Sequence, residues 1–297
     1  MNNSLKLGRV AGIPIEANWS VIAIALIVTL SAANTILPES APGLSEGAYL
    51  VGGALAALAL LGSILVHELG HALVALRNGV GVERISLWAF GGVAQLESEA
   101  ESPRAEAEIA GIGPAISLSL GALLLAVASA FTGLTAAVIG WAGAINILLG
   151  VFNLIPGAPL DGGRLLRAWL WNRHGDRNRA GESAGKAGRL VGAGLMGIGA
   201  LQFLAVGFAG LWTMFIGLFL RASANTEAEF SAQASRLEGL KVREIMVSAE
   251  PVSGDWFSVS AFVDHHVIGR FQPFYLIADE AGKMTGMITA KALAAVP

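Results

Sequence analysis

The sequence predicts an all-α polytopic membrane protein of about six transmembrane helices, with a β-hairpin and a small α/β module at its C-terminal end. Three observations carry the prediction. Of the 297 residues 54% are hydrophobic and only 14% are charged, whereas a soluble domain carries about a quarter charged residues. Several segments approach the roughly 20 consecutive apolar residues that a helix needs to cross a bilayer core of about 30 Å. The basic residues cluster in some connecting segments and are missing from others, as topology-determining charges do.

Six spans follow in order: Trp19 to Leu37, Ala48 to Leu76, Ala107 to Phe131, Leu134 to Leu154, Gly185 to Ala205, and a short one from Phe208 to Leu220. The first is followed by LPESAPG, without the small-residue A-x-A pattern of a cleaved leader, and so reads as a retained helix. Lys and Arg fall before span one, between spans two and three, from Arg164 to Arg189 between span four and the first turn of span five, and from Arg221 onward. The segment Pro38 to Gly47 has none. The positive-inside rule then places both termini and the basic loops in the cytoplasm of a multi-pass cell-membrane protein. The glycines 192, 194, 197 and 199 suit close helix packing. Cysteine is absent, which excludes disulfides and thiolate metal ligands.

Two stretches are not helical in pattern: LGRVAGIPIEA (Leu7 to Ala17) and RISLWAFGGVAQLES (Arg84 to Ser98). In the second, Gly91-Gly92 suits a tight two-residue hairpin connection, and the competing reading is a plain surface loop. Residues 1–222 form the membrane domain and 223–239 a polar, Ala/Ser-rich linker. Residues 240–297 alternate β-like runs with helix-like ones, as in a small cytoplasmic α/β module.

Span two contains LVHELGHALVAL. His67 and His71 stand one helical turn apart on one face, where two imidazoles reach one Zn²⁺ while Glu68 acts as general base on a metal-bound water. Two satisfied helix histidines and a surface glutamate are the alternative. A charged group at mid-membrane costs about 2.5–3.5 kcal/mol on insertion scales, so such groups persist where they work or pair. His67 precedes Arg77 by ten residues, about 15 Å of helix, so the site lies inside the cytoplasmic half and needs a wet cavity. A catalytic zinc requires a third protein ligand. Asp161 is the candidate, since Pro156 and Pro159 break the preceding helix and free the backbone around it; a helix-capping aspartate is the other reading. His174, His265 and His266 read as solvated residues.

HELGH, AGIGP (Ala110 to Pro114) and FNLIPGAPLDGG together resemble the site-2 proteases, intramembrane zinc metalloproteases. The resemblance covers residues 1–222. It implies one Zn²⁺ per chain held by His67, His71 and Asp161, with Glu68 as catalytic base. Asn153 matches a position that contacts substrate or the developing oxyanion, and the Gly91-Gly92 stretch matches a membrane re-entrant β-hairpin. The implied substrates are transmembrane proteins such as an anti-sigma factor or a membrane-tethered regulator. The tail segments VREIM and PFYLIADEAGKMTGMITAKAL resemble a CBS module, a type that works in pairs and often binds adenine nucleotides. One copy is visible, and Ala292 stands where a ribose-binding Asp is usual, which argues against a nucleotide. Two chains pairing their tails would give a homodimer. No feature suggests nucleic-acid binding. The rival function is a metal-ion transporter or channel using the His/Asp site; a catalytically idle relative is a third reading.

Overall fold

The computed structural model describes residues 4–89, 91–237, 240–246, 252–253, 258–268, 272–279, 281–293 and 295. The chain divides into two compact units, Met1–Arg236 and Leu237–Pro297.

The first unit opens with a hairpin of β1 (Ser4–Val10) and β2 (Ile13–Asn18). Its two-residue turn places Ala11 at φ 52° and Gly12 at φ 82°, the left-handed pair that a tight hairpin demands. Helix α1 (Ser20–Ser31) runs through a π turn at Ala32–Ile36 into α2 (Leu37–Ser40). Helix α3 (Glu46–Arg77) starts at Ser45, whose side chain accepts from the Ala48 amide, and has Arg77 in its last turn. Strands β3 (Val82–Trp88) and β4 (Gly91–Leu96) follow.

The expected all-α description therefore needs correcting, because the β segments are more than one hairpin. The four strands form a single sheet in the order β1-β2-β3-β4, with β2 parallel to β3 and the other neighbours antiparallel. LGRVAGIPIEA and RISLWAFGGVAQLES thus form one element, held to α3 by a core of Ile13, Ala17, Ala72, Ile85 and Leu87. Gly91-Gly92 is not the turn. Trp88 pairs with Gly91, so the connection is residues 89–90, of which 90 lies outside the described residues. Gly92 instead lies in β4 against the Glu68 side chain, where a Cβ would collide.

Helices α4 (Pro103–Ala128) and α5 (Gly133–Asn153) pack closely through Gly121, Gly143 and Gly150, each of which would drive a Cβ into the other helix. After the Pro156/Pro159 break come α6 (Asp161–His174), α7 (Arg177–Val206) and α8 (Ala209–Leu237). Of the four glycines noted in α7, Gly192 and Gly199 meet α8 while Gly194 and Gly197 touch nothing. Among the described residues five helical passages are long and apolar enough to cross a membrane: Ser20–Ser40, Glu46–Arg77, Pro103–Ala128, Gly133–Asn153 and Arg177–Val206. Leu26, Leu58, Leu123, Leu148 and Leu204 on these helices are exposed. Water would penalise that; lipid does not. The expected sixth span is the front of α8, which runs on as helix through most of the expected linker; linker residues 238–239 are outside the described set.

The second unit contains α9 (Val242–Ile245), β5 (Val252–Ser253), α10 (Val259–Phe262), β6 (Phe274–Ala278), β7 (Met284–Thr289) and α11 (Ala290–Leu293). Its sheet has the order β5-β6-β7 around a core of Phe262, Tyr275 and Ile277, in keeping with the small α/β module expected. Parts of the expected 240–297 module, including residues 247–251 and 269–271, lie outside the described residues.

Candidate metal centre

His67 and His71 project from one face of α3 and are both buried. Asp161 is the first residue of α6, not its cap; Leu160 holds that position. The helix break at the prolines brings its carboxylate under the imidazoles. Asp161 Oδ2 is 3.2 Å from Nε2 of each histidine, and the two Nε2 atoms are 3.1 Å apart. Two ligand atoms of a tetrahedral Zn²⁺ bound at about 2.0–2.1 Å lie about 3.3 Å apart. The three atoms thus already sit at zinc spacing.

The other ring nitrogens explain why those atoms are free to ligate. His71 Nδ1 donates to the Ile109 carbonyl at 2.6 Å, which leaves a lone pair on its Nε2. His67 Nδ1 lies 2.9 Å from Ser117 Oγ. Two imidazole lone pairs and a carboxylate oxygen converging without a cation would repel one another. A divalent cation resolves that conflict, so the residues present fit zinc. Among the described residues this is the one group of three or more such side chains spaced to hold a metal.

Gly113, within AGIGP, faces both rings; a Cβ there would strike the Nε2 atoms. Behind His67, Asn146 donates to Ser63 Oγ at 2.7 Å, one helical turn along α3, and is fully buried. Ser63, Ser117 and Asn146 were not singled out by motif. Ser63 alone carried a signal in the sequence, polarity at four-residue spacing in one stripe with His67 and His71.

Glu68 lines the same cleft, of about 240 Å³, and its Oε2 accepts from the Ala94 amide at 3.1 Å. Because β4 is an edge strand and Ala94 aims its N–H at Glu68 rather than at β3, the outer hydrogen-bonding edge of β4 faces the Glu68 side of the cleft. Asn153 lines the cleft too, with its amide donating to the Leu149 carbonyl at 3.0 Å. His174 is exposed at the end of α6; His265 and His266 belong to the second unit. None of these three joins the cluster.

Below α6 lies an ion network that sequence inspection missed. Glu106 on α4 is 1% exposed and accepts from Arg167 Nε at 2.7 Å; Arg167 also donates to Glu227 on α8 at 2.8 Å. Arg177 pairs with Glu99 and lies 3.9 Å from Glu106 Oε2. Burial would lower the Arg167 pKa, but Glu106 and Glu227 more than offset it and hold the guanidinium above its usual value.

Comparison with known proteins supplies the family. Residues 55–135 and 128–197 match the model of Peptidase family M50. Rip3 of Mycobacterium tuberculosis, named as a zinc metalloprotease, is 42% identical over 99% of this chain and 76% of its own length. The chain belongs to the site-2 protease family. A further relative, the Synechocystis zinc metalloprotease sll0528, is 33% identical over 100% of this chain and 79% of its own. The structure of a site-2 protease from Methanocaldococcus jannaschii aligns with a TM-score of 0.54 and 28% identity, covering 76% of this chain and 95% of that one. This site-2 protease is accordingly an intramembrane zinc metalloprotease and a multi-pass membrane protein; nothing supports the transporter reading.

Proposed function

We propose that this site-2 protease hydrolyses peptide bonds in or beside transmembrane segments at the cleft between α3, β4 and α6. The carrying observation is the convergence of His67, His71 and Asp161 at 3.1–3.2 Å in the cleft that also holds Glu68 and the outer edge of β4. His67, His71 and Asp161 would hold the zinc, which would supply Lewis acidity toward the scissile carbonyl and acidify a water in the cleft. Glu68 takes the proton of that water and passes it to the departing amine. Asn153, which lines the same cleft, contacts the substrate backbone or the developing oxyanion. A peptide bond inside a helix is shielded, so the substrate unwinds first and adds as a strand to the edge of β4 through the Ala94 and Leu96 backbone groups. Glu68→Gln abolishes cleavage and leaves zinc content unchanged; retained cleavage in that variant refutes the assignment.

The placement of Lys and Arg supports cytoplasmic termini and a sixth crossing by the front of α8, which makes the number of spans even. The site then lies about 15 Å within the cytoplasmic boundary. The substrates are membrane-tethered regulators such as an anti-sigma factor. The β-α pattern of the second unit supports a CBS-like regulatory module that pairs two chains, and Ala292 argues against nucleotide binding.

A further inference from the structure

Arg164 has no role in the chemistry described so far, yet it stands beside it. It lies three residues after Asp161, hence on the same face of α6. Helical side chains lean toward the N-terminal end of their helix, which here is the Asp161 end. Arg164 lines the zinc cleft and also a second cavity of about 440 Å³ that shares Ala94, Leu96 and Pro159 with it. The other two arginines of that cavity are committed: Arg167 to Glu106 and Glu227, and Arg177 to Glu99 and Glu106. Glu97, a fourth acid on the wall, holds its carboxylate over Gly81. The Arg164 side chain makes no ion pair or hydrogen bond with any described residue; its backbone N–H is paired, to the Leu160 carbonyl.

A half-buried, unpaired guanidinium one turn from a metal ligand is costly twice over. It is partly desolvated without a counter-ion, and its charge opposes a divalent cation at the neighbouring site. Both costs vanish when an anion arrives between the guanidinium and the metal. In a cleft that receives peptide, the anion available is a carboxylate, which the planar fork of arginine binds through two parallel N–H···O bonds. Two sources exist. One is an Asp or Glu side chain of the strand laid along β4. The other is the α-carboxylate that hydrolysis itself creates at the zinc.

We propose that Arg164 is the carboxylate receptor of the cleft, a specificity-determining residue that reads an anion on the bound peptide. The proposal rests on the zinc-protease reading of the same cleft. Its test uses the full chain reconstituted in lipid, with substrates carrying Glu, Gln or Lys at each position flanking the scissile bond, and with the acyl fragment supplied as free acid or as amide. Wild type prefers a Glu substrate over its Gln counterpart by about tenfold or more in kcat/KM, the scale of a charge-assisted hydrogen bond. Arg164→Gln erases that preference and Arg164→Glu turns it toward Lys, which identifies a side-chain carboxylate. If instead the free-acid fragment inhibits wild type about tenfold better than the amide, and Arg164→Gln removes the difference, the product carboxylate is the ligand. Arg164→Lys, which keeps the charge and loses the fork, retains part of either ratio and serves if the Gln variant folds poorly. Ratios unchanged in Arg164→Gln and Arg164→Glu, with zinc content intact, overturn the proposal. Failure of the underlying reading shows separately, as wild type that lacks zinc or as cleavage that persists in Glu68→Gln.

Discussion

Neutralising Glu106 should destabilise the membrane domain more than deleting the whole ion pair. Glu106 is 1% exposed and sits in the first turns of α4. It faces Arg167, whose side chain is 14% exposed, and through it is linked to α6. Breaking one side of a buried pair strands the other charge and costs about 3–5 kcal/mol. Arg167 would keep Glu227, whose side chain is 38% exposed, so the lower end applies, about 3 kcal/mol for Glu106→Gln. At roughly 2–4 °C per kcal/mol for a domain of this size, the unfolding midpoint falls by about 6–12 °C. The double variant Glu106→Met/Arg167→Met removes both charges and fills the space with apolar volume; it leaves Glu227 near water and Arg177 paired with Glu99. It should lie within about 1 kcal/mol of wild type, since apolar replacement of buried pairs is often neutral. The assay is thermal unfolding in detergent, followed by tryptophan fluorescence, for Glu106→Gln and for the cycle of Glu106→Met, Arg167→Met and their double. If the double equals the sum of the singles, the residues are not coupled and the argument fails.

Ser117→Ala removes the partner of His67 Nδ1 and should weaken zinc binding about 10–100-fold, the usual effect of losing an outer partner of a metal-ligating histidine; chelator competition measures it, and unchanged affinity refutes it. Gly113→Ala places a Cβ against both Nε2 atoms, so elemental analysis of the folded protein should find zinc well below one per chain. Ala94→Pro deletes the edge amide that meets Glu68 but suits an edge strand; kcat should fall several-fold with zinc content unchanged, as Glu68 loses the donor that positions it, and an unaltered kcat would count against that role.

How much of this was legible in the sequence depends on whether the signal was local. HELGH, the Pro156/Pro159 break and Asp161 announce themselves because helical periodicity and a lost backbone donor operate within a few residues. The helices were legible because a span of apolar residues is a one-dimensional property. The sheet was not. That β2 pairs with β3 in parallel, across the 69 residues between Ile15 and Ile85 shown by their α-carbon register, follows from α1 and α3 packing side by side at Gly53 and Thr29, which no local pattern encodes. The Gly91-Gly92 error has the same origin. Glycine reads as turn, while the space that requires glycine at position 92 is set by Glu68, 24 residues earlier on another element.

The hydrogen-bond partners of His67 and His71 show where sequence reading could have gone further. Ser63, His67 and His71 recur every four residues on a helix whose remaining turns are mostly Ala, Leu and Gly. In lipid a polar side chain on the outer face finds no partner, so a polar stripe at that spacing must face other helices. Ser63 meets Asn146 of α5, His67 meets Ser117 of α4, and His71 meets the Ile109 carbonyl of α4. One stripe therefore specifies both which side of α3 is buried and which helices cover it. The same contacts that orient α3 against α4 and α5 also set the tautomer of His71, so helix packing and metal geometry are fixed by one set of hydrogen bonds. A change that loosens the stripe should reach the metal before it reaches the fold, because apolar and glycine contacts between α4 and α5 remain to hold the bundle while the imidazoles lose their orientation.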